Sequence, residues 1–170
     1  MKRLSLFLSL AALLCSAQAP KQFARRSMSD EFVGAWKLIS LERRTAAGEV
    51  IYPMGQNPVG RLTYDALGRM SVQIMRPDRP KPQGVTPASW SAAEKAAAFD
   101  GFIAYYGTFT VSETERAVIH HVEASLYPHW VGSDQRRLYE FSGSQLILRA
   151  LNGSGGPGTE SRLVWERARP

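Results

Sequence analysis

Cysteine is nearly absent from this chain, since Cys15 is the only one among its 170 residues. A disulfide needs two cysteines, and a thiolate zinc site usually needs two to four. Neither a disulfide nor such a zinc site can therefore stabilise the fold of a single chain. The sequence also lacks the G-x-S-x-G, H-E-x-x-H, P-loop and dinucleotide-binding motifs. No familiar catalytic signature therefore indicates an enzyme class.

Long apolar runs are missing as well, because a membrane-spanning helix needs about 20 apolar residues and no segment reaches that length. The longest run lies at the start, where a basic Met1-Lys2-Arg3, about a dozen apolar residues and a small-residue end at Ala19 form the three parts of a secretory leader. We predict a signal peptide at residues 1–19, no integral membrane segment after its removal, and a periplasmic or secreted protein. Met28 is an alternative start, which would make the protein cytoplasmic.

The charge balance is only mildly basic, with 21 Lys and Arg against 15 Asp and Glu and a formal net charge of +6. Lys2 and Arg3 belong to the predicted leader, and the later basic residues are scattered along the chain. Nucleic-acid binding normally requires a basic patch with interleaved aromatic residues. We therefore predict no nucleic-acid partner, and the charge pattern leaves the oligomeric state open.

Short apolar segments with strand character alternate with Gly, Pro, Asn and Asp turns from Gly34 onward, a pattern typical of an antiparallel barrel or sandwich. The predicted strands are 35–44, 50–52, 60–64, 69–75, 106–112, 117–125, 135–141, 145–151 and 161–167. About eight or nine strands suffice to close a small barrel. We predict an all-β barrel domain at residues 32–170, preceded by a flexible N-terminal tail at residues 20–31.

One helix interrupts the predicted strands. Ser91 and Glu94 have the spacing of a capping box, and with the following K-A-A-A-F-D-G-F-I they predict a helix over 92–103. The helix follows a proline-rich stretch, 76–87, whose prolines favour an extended loop. This loop and helix either plug one end of a barrel or form a lid over a cavity.

Several segments resemble a known family. Gly34-Ala35-Trp36 has the G-x-W pattern that opens lipocalin-type barrels, and the segments V-I-Y-P-M-G-Q-N-P-V-G-R-L-T-Y, G-R-M-S-V-Q-I-M-R-P-D-R-P and H-H-V-E-A-S-L-Y-P-H-W-V-G-S-D-Q-R-R are similar to those of the bacterial and fungal lipocalin-like domain family. The resemblance covers about 32–167. It implies a calycin-type antiparallel β-barrel around a central cavity. It also implies that Arg162 or Arg167 stacks on Trp36.

Relatives of this kind usually bind small apolar molecules, while a minority perform isomerase or cyclase chemistry or hold haem. Side chains alternate between the two faces of a strand, which places Met70, Val72 and Ile74 on one face and predicts that they point inward. Tyr106 shares a face with Thr108 and Thr110, and these hydroxyls either enter the cavity or meet water. The predicted ligand-binding residues are Met70, Val72, Ile74, Tyr106, His120, Val122 and Trp130. Tyr105, Phe109 and Trp165 either fill the core or join this lining.

All three histidines, His120, His121 and His129, lie within ten positions. His120 falls on the more apolar face of its strand, so we expect it to point inward and His121 outward. Adjacent strand residues diverge and cannot chelate one ion, so we predict no metal site and no cofactor. Asp134 and its neighbours Arg136 and Arg137 form either a turn or a rim site for the polar end of a ligand.

The main functional hypothesis is a carrier that binds a small, largely apolar molecule in a barrel cavity, beneath the loop 76–90 and the following helix. The alternative is an isomerase or cyclase that uses His120 as general base, with Tyr106 or Tyr64 as proton donor. His120 can also be a histidine that is simply hydrogen-bonded in a partly polar cavity, or a haem ligand. A third class is a non-catalytic interaction domain with a closed barrel.

Overall fold

The structure, a computed structural model, describes residues 27–152 and 155–169. The predicted signal peptide at residues 1–19 lies outside the described residues, as does most of the predicted tail. Within the described ranges, no helix has the length and apolar character needed to cross a bilayer.

Nine strands and two α-helices make up the described part of the chain. The strands are β1 (Gly34–Arg44), β2 (Val50–Ile51), β3 (Val59–Tyr64), β4 (Arg69–Met75), β5 (Phe102–Ser112), β6 (Ala117–Ser125), β7 (Asp134–Ser142), β8 (Gln145–Leu151) and β9 (Glu160–Arg167). The helices are α1 (Met28–Phe32) and α2 (Ala92–Asp100), and single 3₁₀ turns cover Pro87–Ser89 and Pro128–Trp130.

The strands form one closed antiparallel barrel. Sheet order is β2-β1-β3-β4-β5-β6-β7-β8-β9, and β1 also pairs with β9 from Trp36↔Arg167 to Arg44↔Glu160. Strand β2 is a two-residue addition on the far end of β1, so eight strands close the ring. The prediction of an all-β antiparallel barrel with one helix between its strands is confirmed.

The predicted helix is too long and the following strand too short. Helix α2 ends at Asp100, and Gly101 caps it with its N–H bonded to the carbonyl of Ala97. Strand β5 begins immediately at Phe102, which pairs with Met75 of β4. Asp100-Gly101 therefore ends the helix, and the apolar residues after it belong to the sheet.

The end of the predicted flexible tail is helical and partly buried. Helix α1 begins after Ser27, whose capping box with Asp30 satisfies free backbone donors. Its last residue, Phe32, is fully buried and meets the rings of Tyr64, Tyr139 and Phe141 edge-on at centroid distances of 5.3, 5.1 and 5.0 Å. This apolar anchor orders residues 28–31 and fills one end of the barrel.

Trp36 stabilises the same end. Its indole Nε1 donates to the carbonyl of Phe32 at 2.8 Å, and the Arg167 guanidinium lies 4.2 Å from the ring centroid. Arg167 also donates to the carbonyls of Val33 and Glu31. Arg167, rather than Arg162, is therefore the arginine that stacks on the G-x-W tryptophan, and its role here is structural.

Candidate functional site

A partly enclosed cavity lies inside the barrel, away from the end that Phe32 fills. Its volume is about 60 Å³, counted as space for the centres of water-sized molecules. Most of its wall is aliphatic or aromatic: Leu41, Leu62, Val72, Ile74, Ile103, Trp130, Leu148, Ala150, Leu163 and Trp165. The polar lining residues are Arg43, Tyr105, His120, Arg137 and Ser161, and no Asp or Glu of the described chain is among them.

His120 is the centre of a buried hydrogen-bond network. Its side chain comes from β6 and is 1% exposed. Imidazole Nε2 lies 2.7 Å from the Tyr64 hydroxyl, and Nδ1 lies 2.9 Å from the Tyr105 hydroxyl. The three residues come from β3, β5 and β6, so the closed barrel is what brings them together. Both ring nitrogens are thereby satisfied inside the barrel.

Burial keeps this network neutral. It lowers the pKa of His120 well below the usual value, because the charged imidazolium loses its hydration, and the nearby charge of Arg137 adds to this effect. Burial also raises the pKa of Tyr64 and Tyr105, while Arg137 opposes the shift on both phenols. Neutral imidazole and neutral phenols are therefore the forms that line the cavity at neutral pH.

Two further groups determine the polarity of the cavity. The indole Nε1 of Trp165 is buried and has no hydrogen-bond partner among the described residues. Arg137 extends from β7 and donates to the backbone carbonyl of Arg136 and to Gln135 Oε1. The polar groups of the lining are thus mostly hydrogen-bond donors.

A second, outer pocket of about 310 Å³ adjoins the cavity, and its lining includes the exposed His129 together with Asp100 and Tyr127. Arg43, Ile103 and Trp130 line both spaces, and we term these three residues the constriction. Trp130 belongs to the 3₁₀ turn Pro128–Trp130 and meets the Tyr105 ring edge-on at 5.4 Å. The outer pocket therefore lies next to the cavity, on the side of these three residues.

Six of the seven predicted ligand-binding residues point into the barrel, and four of them line the cavity. Val72, Ile74, His120 and Trp130 line the cavity. Met70 and Val122 point inward but pack in the core without lining it, and Tyr64 reaches the cavity only through its contact with His120. The inward expectation for residues 70, 72 and 74 agrees with their burial.

Tyr106 is placed on the wrong face by the sequence prediction. Its side chain is 55% exposed on the outside of β5, so it can neither line the cavity nor donate a proton there. Tyr105 takes the inward position, in phase with Phe109, which is also buried. The alternation from Phe109 back to Tyr105 was the available signal, and extending the helix to 103 and beginning the strand only at 106 concealed it.

The other two histidines stay outside. His121 is partly exposed, with Nδ1 2.7 Å from Asp134 Oδ1 and Nε2 3.0 Å from Thr110 Oγ1, and His129 lies at the outer pocket. Among the described residues no group of three His, Cys, Asp or Glu side chains could hold a metal ion. Of the residues considered for a rim site, Arg136 bonds Glu115 on the surface, Asp134 bonds His121, and only Arg137 lines the cavity.

The loop 76–90 and helix α2 do not form the lid over the cavity that the sequence analysis gave as one possibility. No residue of the loop 76–90 or of α2 lines the cavity, and α2 has no buried residue. The segment instead packs on itself and on the start of β5: Trp90 Nε1 donates to the Gly84 carbonyl, and Arg79 lies over the Phe102 ring. Asp100, at the end of α2, reaches only the outer pocket.

An eight-stranded antiparallel barrel with a largely apolar internal cavity defines a class of small β-barrels built around an internal site. The family model of the lipocalin-like domain matches residues 33–168, so the chain belongs to the lipocalin-like domain family, and the resemblance seen in the sequence is confirmed. The chain is 37% identical over 106 residues to the 4'-hydroxy-3'-methoxypropiophenone carrier protein of Aspergillus oryzae (strain ATCC 42149 / RIB 40), covering 58% of this chain and 96% of that protein. A lipocalin-like protein from Bacteroides uniformis ATCC 8492 aligns with a TM-score of 0.44 and 12% identity, covering 81% of this chain and 99% of that one.

Proposed function

We propose that this protein is a carrier that binds a small, largely apolar molecule in the barrel cavity. The observation that carries the proposal is the lining of the cavity, aliphatic and aromatic side chains with a few convergent polar groups, which is the composition typical of ligand sites. The similarity to a carrier protein for an aryl ketone supports it. The match covers 96% of that relative and 58% of this chain.

The size of the cavity limits the ligand. About 60 Å³ of space for molecular centres accommodates roughly four waters, since each water requires about 10–15 Å³ on this scale. A compact molecule with one ring suits such a space better than a long lipid chain or a haem. Entry through the constriction requires the Trp130 side chain to move.

The binding proposal predicts saturable quenching of tryptophan fluorescence by 4'-hydroxy-3'-methoxypropiophenone, because Trp130 and Trp165 line the cavity. Ala150→Phe should weaken this binding at least about tenfold, since Ala150 is a lining residue and the larger ring fills the space. Leu151→Phe is the matched control, because Leu151 is adjacent but exposed. Ala150→Leu is a milder filling variant if the phenylalanine lowers the melting temperature.

Equal affinities of the Ala150 and Leu151 variants would contradict binding in the cavity. Linear, non-saturating quenching of the wild-type protein would contradict specific binding of this probe. Calorimetric titration of the same proteins provides a readout that does not depend on the position of the tryptophans.

The isomerase or cyclase alternative has less support. Tyr64 and His120 do lie 2.7 Å apart, but both nitrogens of His120 are already bonded to tyrosine hydroxyls. A general base needs a free lone pair within reach of the proton that it removes. A base role for His120 would require one of these buried hydrogen bonds to break first.

We also propose that the protein acts in the periplasm or outside the cell, with the leader pattern of residues 1–19 as support. N-terminal sequencing of the protein purified from its own host tests this. Processing after Ala19 is the expected result, whereas a mature chain that begins at Met28 would support a cytoplasmic carrier.

A further inference from the structure

Each hydrogen in the Tyr64–His120–Tyr105 network can be assigned from the hydrogen-bond partners of the three residues. The assignment indicates which functional group a ligand needs. This inference rests on the proposed binding function and deepens it. His120 is neutral, so one ring nitrogen carries a hydrogen and the other accepts one. One of the two tyrosines must therefore donate a hydrogen bond to the imidazole, and the other must accept one from it.

The surroundings of Tyr64 determine the direction of the hydrogen bonds in this network. Tyr64 is 1% exposed, and among the described residues its hydroxyl has one hydrogen-bond partner, His120 Nε2. Its ring neighbours are Phe32 and Phe109, which offer no conventional acceptor. If Nε2 carried the hydrogen, the Tyr64 O–H would be a buried donor without an acceptor, which costs on the order of 1–3 kcal/mol. Tyr105 borders the cavity, where water or a ligand can accept its hydrogen, whereas Tyr64 does not. The favoured assignment is therefore the one in which Tyr64 donates to Nε2.

The Tyr105 hydroxyl is then left with a free hydrogen. Since Nε2 accepts, the imidazole hydrogen is on Nδ1 and is donated to Tyr105 Oη at 2.9 Å. The Tyr105 O–H has no acceptor of its own among the described residues, and Tyr105 lines the cavity, which Tyr64 does not. The network thus presents one hydrogen-bond donor on the cavity side.

A second donor belongs to a different element. Trp165 on β9 lines the same cavity, and its buried Nε1 has no partner in the part of the chain that the structure describes. Arg137 adds positive charge to the lining, and no Asp or Glu of the described chain lines the cavity. A cationic ligand is disfavoured by this charge, and a pure hydrocarbon would leave the donors without acceptors.

We propose that the ligand carries a hydrogen-bond acceptor oxygen of the carbonyl type, which receives the Tyr105 O–H, with the Trp165 N–H as second donor. The apolar walls hold the rest of the molecule, and the donors select its functional group. Tyr64 and His120 act as positioning residues, because they touch Tyr105 or each other and orient its hydroxyl.

The first test is the tautomer of His120, measured by long-range ¹H–¹⁵N correlation spectra of the histidine side chains. We expect a protonated Nδ1 and an unprotonated Nε2 at pH 7.5. His120→Gln identifies the signal by its loss, and His121→Gln leaves that signal in place. A protonated Nε2 would overturn the assignment and with it the free donor on Tyr105.

The second test compares two probes with the same carbon skeleton, propiophenone and n-propylbenzene, by calorimetry. Moving a carbonyl out of water without a new hydrogen bond is costly, so a purely apolar cavity would favour n-propylbenzene. We expect the wild-type protein to bind propiophenone at least as tightly. Tyr105→Phe should weaken propiophenone about tenfold and leave n-propylbenzene unchanged or tighter.

Two other variants complete the design. Trp165→Phe keeps the histidine network intact and should selectively weaken propiophenone, so the inference stays testable if Tyr105→Phe fails to fold. Tyr106→Phe removes an exposed hydroxyl one residue from Tyr105 and should change neither affinity. Melting temperatures and near-ultraviolet circular dichroism verify that each variant is folded.

The outcomes separate this inference from the proposed function. If n-propylbenzene binds the wild type tenfold or more tightly than propiophenone, or if neither Tyr105→Phe nor Trp165→Phe weakens the ketone selectively, the acceptor inference is overturned while cavity binding stands. If the wild type binds neither probe at millimolar concentration, the carrier proposal fails together with it.

Discussion

Gly107→Ala is expected to lower the free energy of unfolding by at least about 3 kcal/mol, at the upper end of the cost of overpacking. A Cβ atom at this position would lie 1.9 Å from the backbone carbonyl oxygen of His121 and 3.0 Å from the amide nitrogen of Glu123. Both are backbone atoms of the adjacent strand and cannot rotate away. Strands β5 and β6 would have to separate.

Gly107 lies close to the candidate site, so the separation of β5 and β6 would occur beside it. The β5–β6 register shifts between Tyr106 and Gly107, where Glu123 is the extra residue of a β-bulge. Tyr105 and His120 lie on the two strands that approach closely there. Separating the strands should therefore weaken ligand binding as well as stability.

Urea denaturation provides the measurement, with Gly143→Ala as the control. Gly143 has a φ of +58°, and a Cβ there would meet no heavy atom within 4 Å. Its replacement should cost only the left-handed backbone penalty of about 1–2 kcal/mol. A Gly107→Ala variant as stable as the Gly143→Ala variant would show that the strands accommodate a side chain at the bulge.

The second prediction is a loss of stability on acidification that depends on His120. Burial, aided by the charges of Arg137 and His121, lowers the pKa of His120 in the folded protein. The unfolded chain then binds more protons than the folded one below about pH 6.5, so stability falls as the pH drops. With one proton involved, the free energy of unfolding should decrease by at most about 2 kcal/mol from pH 7.5 to 5.0.

Chemical denaturation between pH 7.5 and 5.0 measures the sign and the size of the change in the free energy of unfolding. The carboxyl groups with lowered pKa, Asp65, Asp78 and Glu94, lose their contributions near pH 4 and below, outside this window. His120→Gln should lower stability at pH 7.5 but remove most of the decline, whereas His121→Gln should keep it. A decline that persists in His120→Gln would refute the assignment to His120.

The barrel could be predicted from the sequence because alternation and turn residues are local signals. Strands β4, β6 and β8 have the predicted ends, since each is bounded by turn residues and alternates cleanly. The start of β5 could not be seen in the same way. A capping box at Ser91 and Glu94 favoured a helix, and only the pairing of Phe102 with Met75, a long-range contact, ends it at Gly101.

The site was less predictable than the fold, since its chemistry depends on contacts between distant strands. Alternation correctly placed His120 inward and His121 outward. The partners of His120 are 56 and 15 residues away, and the register that joins them is not written in any short segment. Arg137 and Trp165 likewise become polar lining only when β9 closes on β1.

The residence time of a ligand is expected to depend on the constriction. Trp130 occupies a single 3₁₀ turn in the β6–β7 connection, while Tyr105 and Trp165 belong to long strands of the barrel wall. Substitutions in the turn should therefore change the rates of loading and unloading while the affinity set by the donors stays nearly constant. On the proposed function, we expect residence time and selectivity to depend on different parts of the chain, so that a carrier of this design could be adapted to faster delivery without recognising a different molecule.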